Sequence, residues 1–110
     1  MSMDSLAKLE ARIQESHGLN PQQKEELVTL LSDLKHAIAE LSKTHEEHAE
    51  SIARFTDMSA HEATRRQKNQ HLLRIAMEGL STSVEEFEVS HPELISTVNK
   101  ISDILSSIGI

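Results

Sequence analysis

The amino-acid sequence predicts an all-α protein, an elongated antiparallel helical hairpin or bundle of about four helices with coiled-coil-like seams. Only three glycines and two prolines interrupt its 110 residues, which leaves room for long helices. Apolar residues recur at steps of three and four rather than alternating, as on one face of a helix. The chain is short enough for residues 1–110 to form a single helical domain. We expect helices at about residues 4–17, 21–56, 59–88 and 91–108.

Glycines are expected to end the first and last helices. Gly18 follows the first helix, and a left-handed conformation there would fold Leu19 against Ile13. Gly109 and Ile110 repeat this pattern at the end of the chain. Both endings are therefore predicted to be left-handed caps.

The second helix has the strongest start signal, with Asn20 as the N-cap, Pro21 at the first helical position and Gln23 completing a capping box. Its apolar spacing of four and three passes through His45 and His48, so both histidines are expected to face the seam. An unbroken helix over residues 21–56 would be about 54 Å long. The molecule is therefore expected to be elongated, with a break near residues 56–59.

The last helix carries two competing start signals. Ser90 and Glu93 have the spacing of a capping box, and Val89 and Leu94 that of a hydrophobic staple. Alternatively, Pro92 at the first helical position would place the start one residue later.

Regular apolar seams run along three of the predicted helices, and one chain is expected to cover them only in part. We therefore expect a homodimer or higher oligomer, with a helix of another protein as a further candidate partner. The expected seam and interface residues are Leu27, Leu31, Leu34, Ile38, Leu41, Ile52, Phe55, Leu73, Met77, Leu80, Val84, Phe87, Leu94, Val98, Ile101, Leu105 and Ile108.

The C-terminal part carries two motifs that resemble a known family. Residues 84–94 contain Phe-Glu-x-x-His-Pro-x-Leu, starting at Phe87, and the chain ends in Gly-Ile. Over Val84 to Ile110 the sequence resembles the small bacterial helical family called domain of unknown function four-four-zero-four. The resemblance implies a helical fold and a bacterial origin, and it implies no activity.

Two histidines have a spacing that could bind a metal ion. His45 and His48 are separated by one helical turn and are surrounded by glutamates. Zinc would also require ligands from elsewhere, such as a glutamate or His61. The alternative interpretation is that the histidines fill the seam or are solvated, and no other cofactor is expected.

Several other functions are disfavoured by the sequence. A net charge of −7 opposes binding to nucleic acid, and Arg65, Arg66, Lys68 and Arg74 would point around a helix rather than form one stripe. No apolar run is long enough to span a membrane, so a cytoplasmic protein is expected. No catalytic motif is present, so we expect no enzyme. The leading hypothesis is a self-associating structural or interaction protein, and the alternative is a metal- or small-ligand-binding bundle.

Overall fold

A computed structural model describes the backbone of residues 3–108 and the side chains of residues 7–108. Within these residues the all-α prediction is confirmed, because five α-helices and one 3-10 turn are present without any strand. The expected caps at Gly109 and Ile110 lie outside the described residues. The helices are α1 (Met3–Glu15), α2 (Pro21–Ser42), α3 (Glu46–Thr64), α4 (Gln70–Val84) and α5 (Pro92–Ile108), with the 3-10 turn at Glu85–Phe87.

The start of α2 confirms the predicted capping box. The Asn20 side chain accepts a hydrogen bond of 2.8 Å from the backbone N–H of Gln23. The Gln23 side chain accepts one of 3.1 Å from the backbone N–H of Asn20. Pro21 is the first helical residue. Each side chain satisfies a donor that has no partner within the helix.

The prediction of one helix over residues 21–56 is wrong, because α2 ends at Ser42 and α3 begins at Glu46. The Ser42 hydroxyl donates to the Ala39 carbonyl at 2.7 Å, and the Thr44 hydroxyl donates to the Leu41 carbonyl at 3.4 Å. Such side chains compete with the helical N–H groups for carbonyl oxygens. Two glutamates then occupy the first turn of α3, where the helix dipole favours negative charge.

The break expected near residues 56–59 is also absent, because α3 continues to Thr64. The buried face of this part of α3 consists of small residues, which a search for large apolar residues overlooks. The hydroxyls of Thr56 and Ser59 donate to carbonyls four residues earlier, at 2.7 and 2.8 Å. They are therefore buried without losing their hydrogen bonds. The buried residues of α3 are Ala49, Ile52, Ala53, Thr56, Ser59, Ala60 and Ala63.

The predicted helix over residues 59–88 is divided by a connection at residues 65–69. Arg65 is extended, with φ −65° and ψ 152°, and therefore ends α3. Asn69 then caps α4 by accepting a hydrogen bond of 3.0 Å from the backbone N–H of Leu72. The turn therefore occurs nine to ten residues later than the sequence pattern suggested.

The start of α5 matches the alternative prediction. Pro92 is its first residue, and the His91 carbonyl accepts from the N–H groups of Leu94 and Ile95 at 3.1 and 3.4 Å. The predicted hydrophobic staple is wrong, because 94% of Val89 is exposed while Leu94 is buried.

Gly18 does not adopt the predicted left-handed conformation, since no described glycine has a positive φ. Close approach is its structural requirement instead. A Cβ atom at Gly18 would lie 3.0 Å from the Ile108 Cγ2 atom and 3.3 Å from its Cα atom. The turn between α1 and α2 therefore packs directly against the end of α5. Leu19 and Ile13 both belong to the buried core.

The helices assemble around α3, which packs against each of the other four α-helices. The molecule measures 38 × 26 × 20 Å and has a radius of gyration of 13.0 Å. The elongated shape expected from a helix of about 54 Å is therefore wrong. Two interruptions of helical structure, at residues 43–45 and 65–69, allow the chain to fold back on itself.

The seam residues form one core inside a single chain. Leu27, Leu34, Val98 and Ile101 are less than 1% exposed, and α2 packs directly against α5. Of the seam residues, only Phe55 and Met77 are partly exposed, and both pack against the core. Burial of the seams therefore needs no second copy of the chain.

The carboxyl group of Asp57 is held in an unfavourable environment on α3. Its Oδ1 atom is buried without a hydrogen-bond partner, and burial raises the pKa of this carboxyl group above its usual value of 3.8. The folded protein therefore binds more protons than the unfolded chain between the two pKa values. Its stability falls as the pH rises through this interval.

Asp57→Asn is accordingly expected to raise the free energy of unfolding at pH 7 by about 1 kcal/mol. The gain should shrink as the pH falls through the folded-state pKa, since Asp57 is then neutral. Urea unfolding at several pH values measures this difference. Asp33→Asn, at an exposed position of α2, is the control and should change little. A loss of stability in Asp57→Asn at pH 7 would contradict the conclusion that the ionised Asp57 carboxylate destabilises the folded protein.

Candidate functional site

Three histidines surround Phe87, in the 3-10 turn that precedes α5. The ring centres of His45, His48 and His91 lie 5.3, 5.5 and 5.5 Å from that of Phe87, each in an edge-to-face arrangement. Phe87 itself is 3% exposed. The three histidines therefore cover the Phe87 ring, whose turn packs against α4 and α5, and His48 Nδ1 lies 3.2 Å from a carboxylate oxygen of Glu86.

The prediction that His45 and His48 fill the seam is wrong, because both are exposed. The physical reason is the break between α2 and α3. His45 is the N-cap residue of α3, with φ −137° and ψ 64°, and therefore lies outside the helical spacing from which the prediction was made. Ala49, which is 2% exposed, takes the buried position instead.

Metal binding by His45 and His48 stays a prediction. Their ring centres are 6.2 Å apart, and no group of three or more potential ligands in the described part of the chain is arranged to hold a metal ion. His61 does not join them. Its Nδ1 atom lies 2.9 Å from Arg12 Nη1, and its Nε2 atom lies 3.9 Å from a Glu62 oxygen.

A second candidate site lies on the outside of the hairpin formed by α3 and α4. These helices make the most extensive contact in the fold, and the Phe55 ring occupies the space beside Gly79. Phe55 lies ten residues before Arg65, and Gly79 lies ten residues after Asn69. This symmetry about the connection shows that α3 and α4 are antiparallel.

Apolar side chains lie along the outer side of the contact between α3 and α4. Met58 follows Phe55 by three residues, and Leu72 and Ile75 precede Gly79 by seven and four residues, so each shares a face with the contact residue. Met58, Leu72 and Ile75 are 48%, 40% and 47% exposed. We call Phe55, Met58, Leu72 and Ile75 the hairpin strip.

Three members of the hairpin strip were not among the site residues predicted from the sequence. Met58, Leu72 and Ile75 fall outside the strict seams, where a single apolar residue is expected on any surface. The available signal was the step of three between Leu72 and Ile75 on the helix that also carries the seam residue Leu73. This pattern makes α4 apolar on more than one face.

No helix in the described part of the chain combines the length and apolar character needed to cross a lipid bilayer.

Oppositely charged residues flank the hairpin strip. Arg54 precedes Phe55, and Glu78 precedes Gly79, so each is about 100° around its helix from the contact residue. Both are exposed.

Comparison with known proteins gives one family match. The model of a family described as Domain of unknown function (DUF4404) matches residues 56–110. Neither the curated proteins nor the solved structures that were searched include a match. The matched segment contains the C-terminal motif and extends upstream through α4 into α3. It covers half of the chain, and the protein therefore belongs to the DUF4404 family.

Proposed function

We propose that this protein is a helical interaction module that associates with a second copy of itself through the hairpin strip. The observation that carries the proposal is the row of Met58, Leu72 and Ile75, each 40% or more exposed on neighbouring helices. Large apolar side chains grouped on one surface are typical of protein contact sites. Except for Phe55, the strip residues lie outside the heptad seams, whose other side chains are buried within the chain or pack against its core.

The charges beside the strip favour a second copy as the partner. A two-fold axis parallel to the hairpin places α3 of each copy over α4 of the other at the same height. Arg54 of one copy then faces Glu78 of its partner, and the same pair forms twice because the interface is symmetric. Within the described residues of one chain, neither side chain forms an ion pair.

The mass in solution tests self-association. Size-exclusion chromatography with light scattering should give about twice the chain mass of 12.3 kDa at micromolar concentration. Ile75→Asp should give a folded monomer, because a dimer formed through the strip would have to bury an unpaired carboxylate. Val89→Asp is the matched control and should stay dimeric, since Val89 is 94% exposed and lies outside the strip.

A charge exchange distinguishes a second copy from another protein. Arg54→Glu and Glu78→Arg should each weaken the dimer, and the double variant should restore it because the ion pair is then reversed. Circular dichroism would verify that each variant remains helical. A wild-type protein that stays monomeric at all concentrations up to about 100 µM, where even weak dimers are populated, would refute self-association. Binding of the strip to a helix of another protein would then be the remaining interpretation.

A further inference from the structure

A cleft with several basic side chains lies at the end of the hairpin where α3 connects to α4. It forms where the end of α1 and the following turn meet the connection between α3 and α4, and it encloses about 420 Å³. Arg12 comes from α1, whereas Arg65, Arg66 and Lys68 come from the connection. Two distant segments of the sequence therefore bring four basic residues to one place.

This concentration of positive charge contrasts with the acidic character of the whole chain. The net charge of the protein is −7, yet the cleft is lined by four basic side chains, of three arginines and one lysine, and by one carboxylate, that of Glu15. The local sum is therefore +3. Glu62 lies beside the cleft and reduces this sum to +2, because it binds Arg65 at 2.7 Å.

Two of these four cations are held by neutral acceptors. Arg12 contacts the His61 ring at 2.9 Å and the His61 carbonyl at 3.4 Å. Lys68 donates to the Ala63 carbonyl at 2.6 Å, and burial lowers the pKa of its amino group below the usual 10.5. Arg66 is exposed and forms no ion pair within the described part of the chain. Among the ion pairs of the described residues, Arg65 is the one cation of the cleft that a carboxylate neutralises.

We propose that the cleft binds a compact anion that carries two or more phosphate groups. Guanidinium groups bind phosphate oxygens through paired hydrogen bonds, and a lysine adds a third donor centre. Arg12 belongs to α1, whereas Arg66 and Lys68 belong to the connection, so the lining donors come from two separate segments. A diphosphate group spans such a pair of donors better than a single phosphate. No phenylalanine lines the cleft, and His17 supplies the one aromatic ring among its described lining residues, so a nucleobase would find only a small ring on which to stack.

Isothermal titration calorimetry with inorganic pyrophosphate tests this site. Wild-type protein should bind one pyrophosphate per chain, more tightly than inorganic phosphate, and the affinity should fall as the salt concentration rises. Arg66→Gln and Lys68→Gln should each weaken binding about tenfold. Arg74→Gln removes the same charge from an exposed position on α4 outside the cleft, and it should leave the affinity almost unchanged.

Two further measurements separate a specific site from general charge attraction. Pyrophosphate should raise the melting temperature of the wild-type protein, because a ligand that binds the folded state stabilises it. Pyrophosphate should not raise the melting temperature of the Arg66→Glu variant. Because Arg66 is exposed in a connection, this variant is expected to fold like the wild-type protein. The absence of binding at millimolar pyrophosphate would overturn the proposal, as would equal losses of affinity in Arg66→Gln and Arg74→Gln.

Discussion

Leu34→Ala is expected to lower the free energy of unfolding by about 2–5 kcal/mol, the range for truncating a fully buried leucine. The Leu34 side chain is 0% exposed and belongs to the continuous core that joins α2 with the other helices. Removing three heavy atoms there loses apolar burial and leaves a cavity that the surrounding helices fill only in part. If the seam were instead exposed in the monomer and buried only by association, truncating Leu34 would cost little stability in a single chain.

Leu72→Ala provides the matched control, since it deletes the same atoms at a position that is 40% exposed. Its cost should be below about 1 kcal/mol. Both changes are best measured by urea unfolding in the Ile75→Asp variant, in which the proposed association is removed and folding involves one chain. Similar losses of stability for the two leucines would show that Leu34 is not a core residue.

The apolar spacing predicted which residues are buried more accurately than it predicted where helices end. The distance from Leu41 to Ile52 is eleven residues, which equals steps of four, three and four in one helix. The structure has a break between these residues, and both are still buried. Periodicity therefore cannot distinguish a continuous helix from two helices joined by a short turn in the same register.

The candidate surfaces depend on packing between distant segments, which sequence spacing does not describe. Arg65, Arg66 and Lys68 were expected to diverge around a helix, but they lie in a connection after α3 ends. Their convergence with Arg12 requires α1 to pack against α3. Likewise, Met58 and Ile75 become neighbours on one surface only because α3 and α4 pair as an antiparallel hairpin. The C-terminal motif was recognisable from the sequence because its residues are contiguous.

Gly79→Ala is expected to destabilise the protein, although alanine is the better helix former. A Cβ atom at Gly79 would overlap the Phe55 ring, and forcing extra atoms into a packed contact costs about 1–3 kcal/mol. The higher helix propensity of alanine returns at most about 1 kcal/mol. The hairpin between α3 and α4 would have to open, or the Phe55 ring would have to turn into solvent.

The sign of this effect should reverse when Phe55 is replaced by alanine. With the ring removed, the three atoms nearest to the new methyl group are gone, and Gly79→Ala should stabilise the Phe55→Ala variant by up to about 1 kcal/mol. The four proteins form a double-mutant cycle with an expected coupling of about 1–3 kcal/mol. Ser81→Ala, an exposed position on the same helix, is the control and should have the same small effect in both backgrounds. Equal effects of Gly79→Ala with and without the Phe55 ring would disprove the close approach, since helix propensity alone cannot depend on a side chain in another helix.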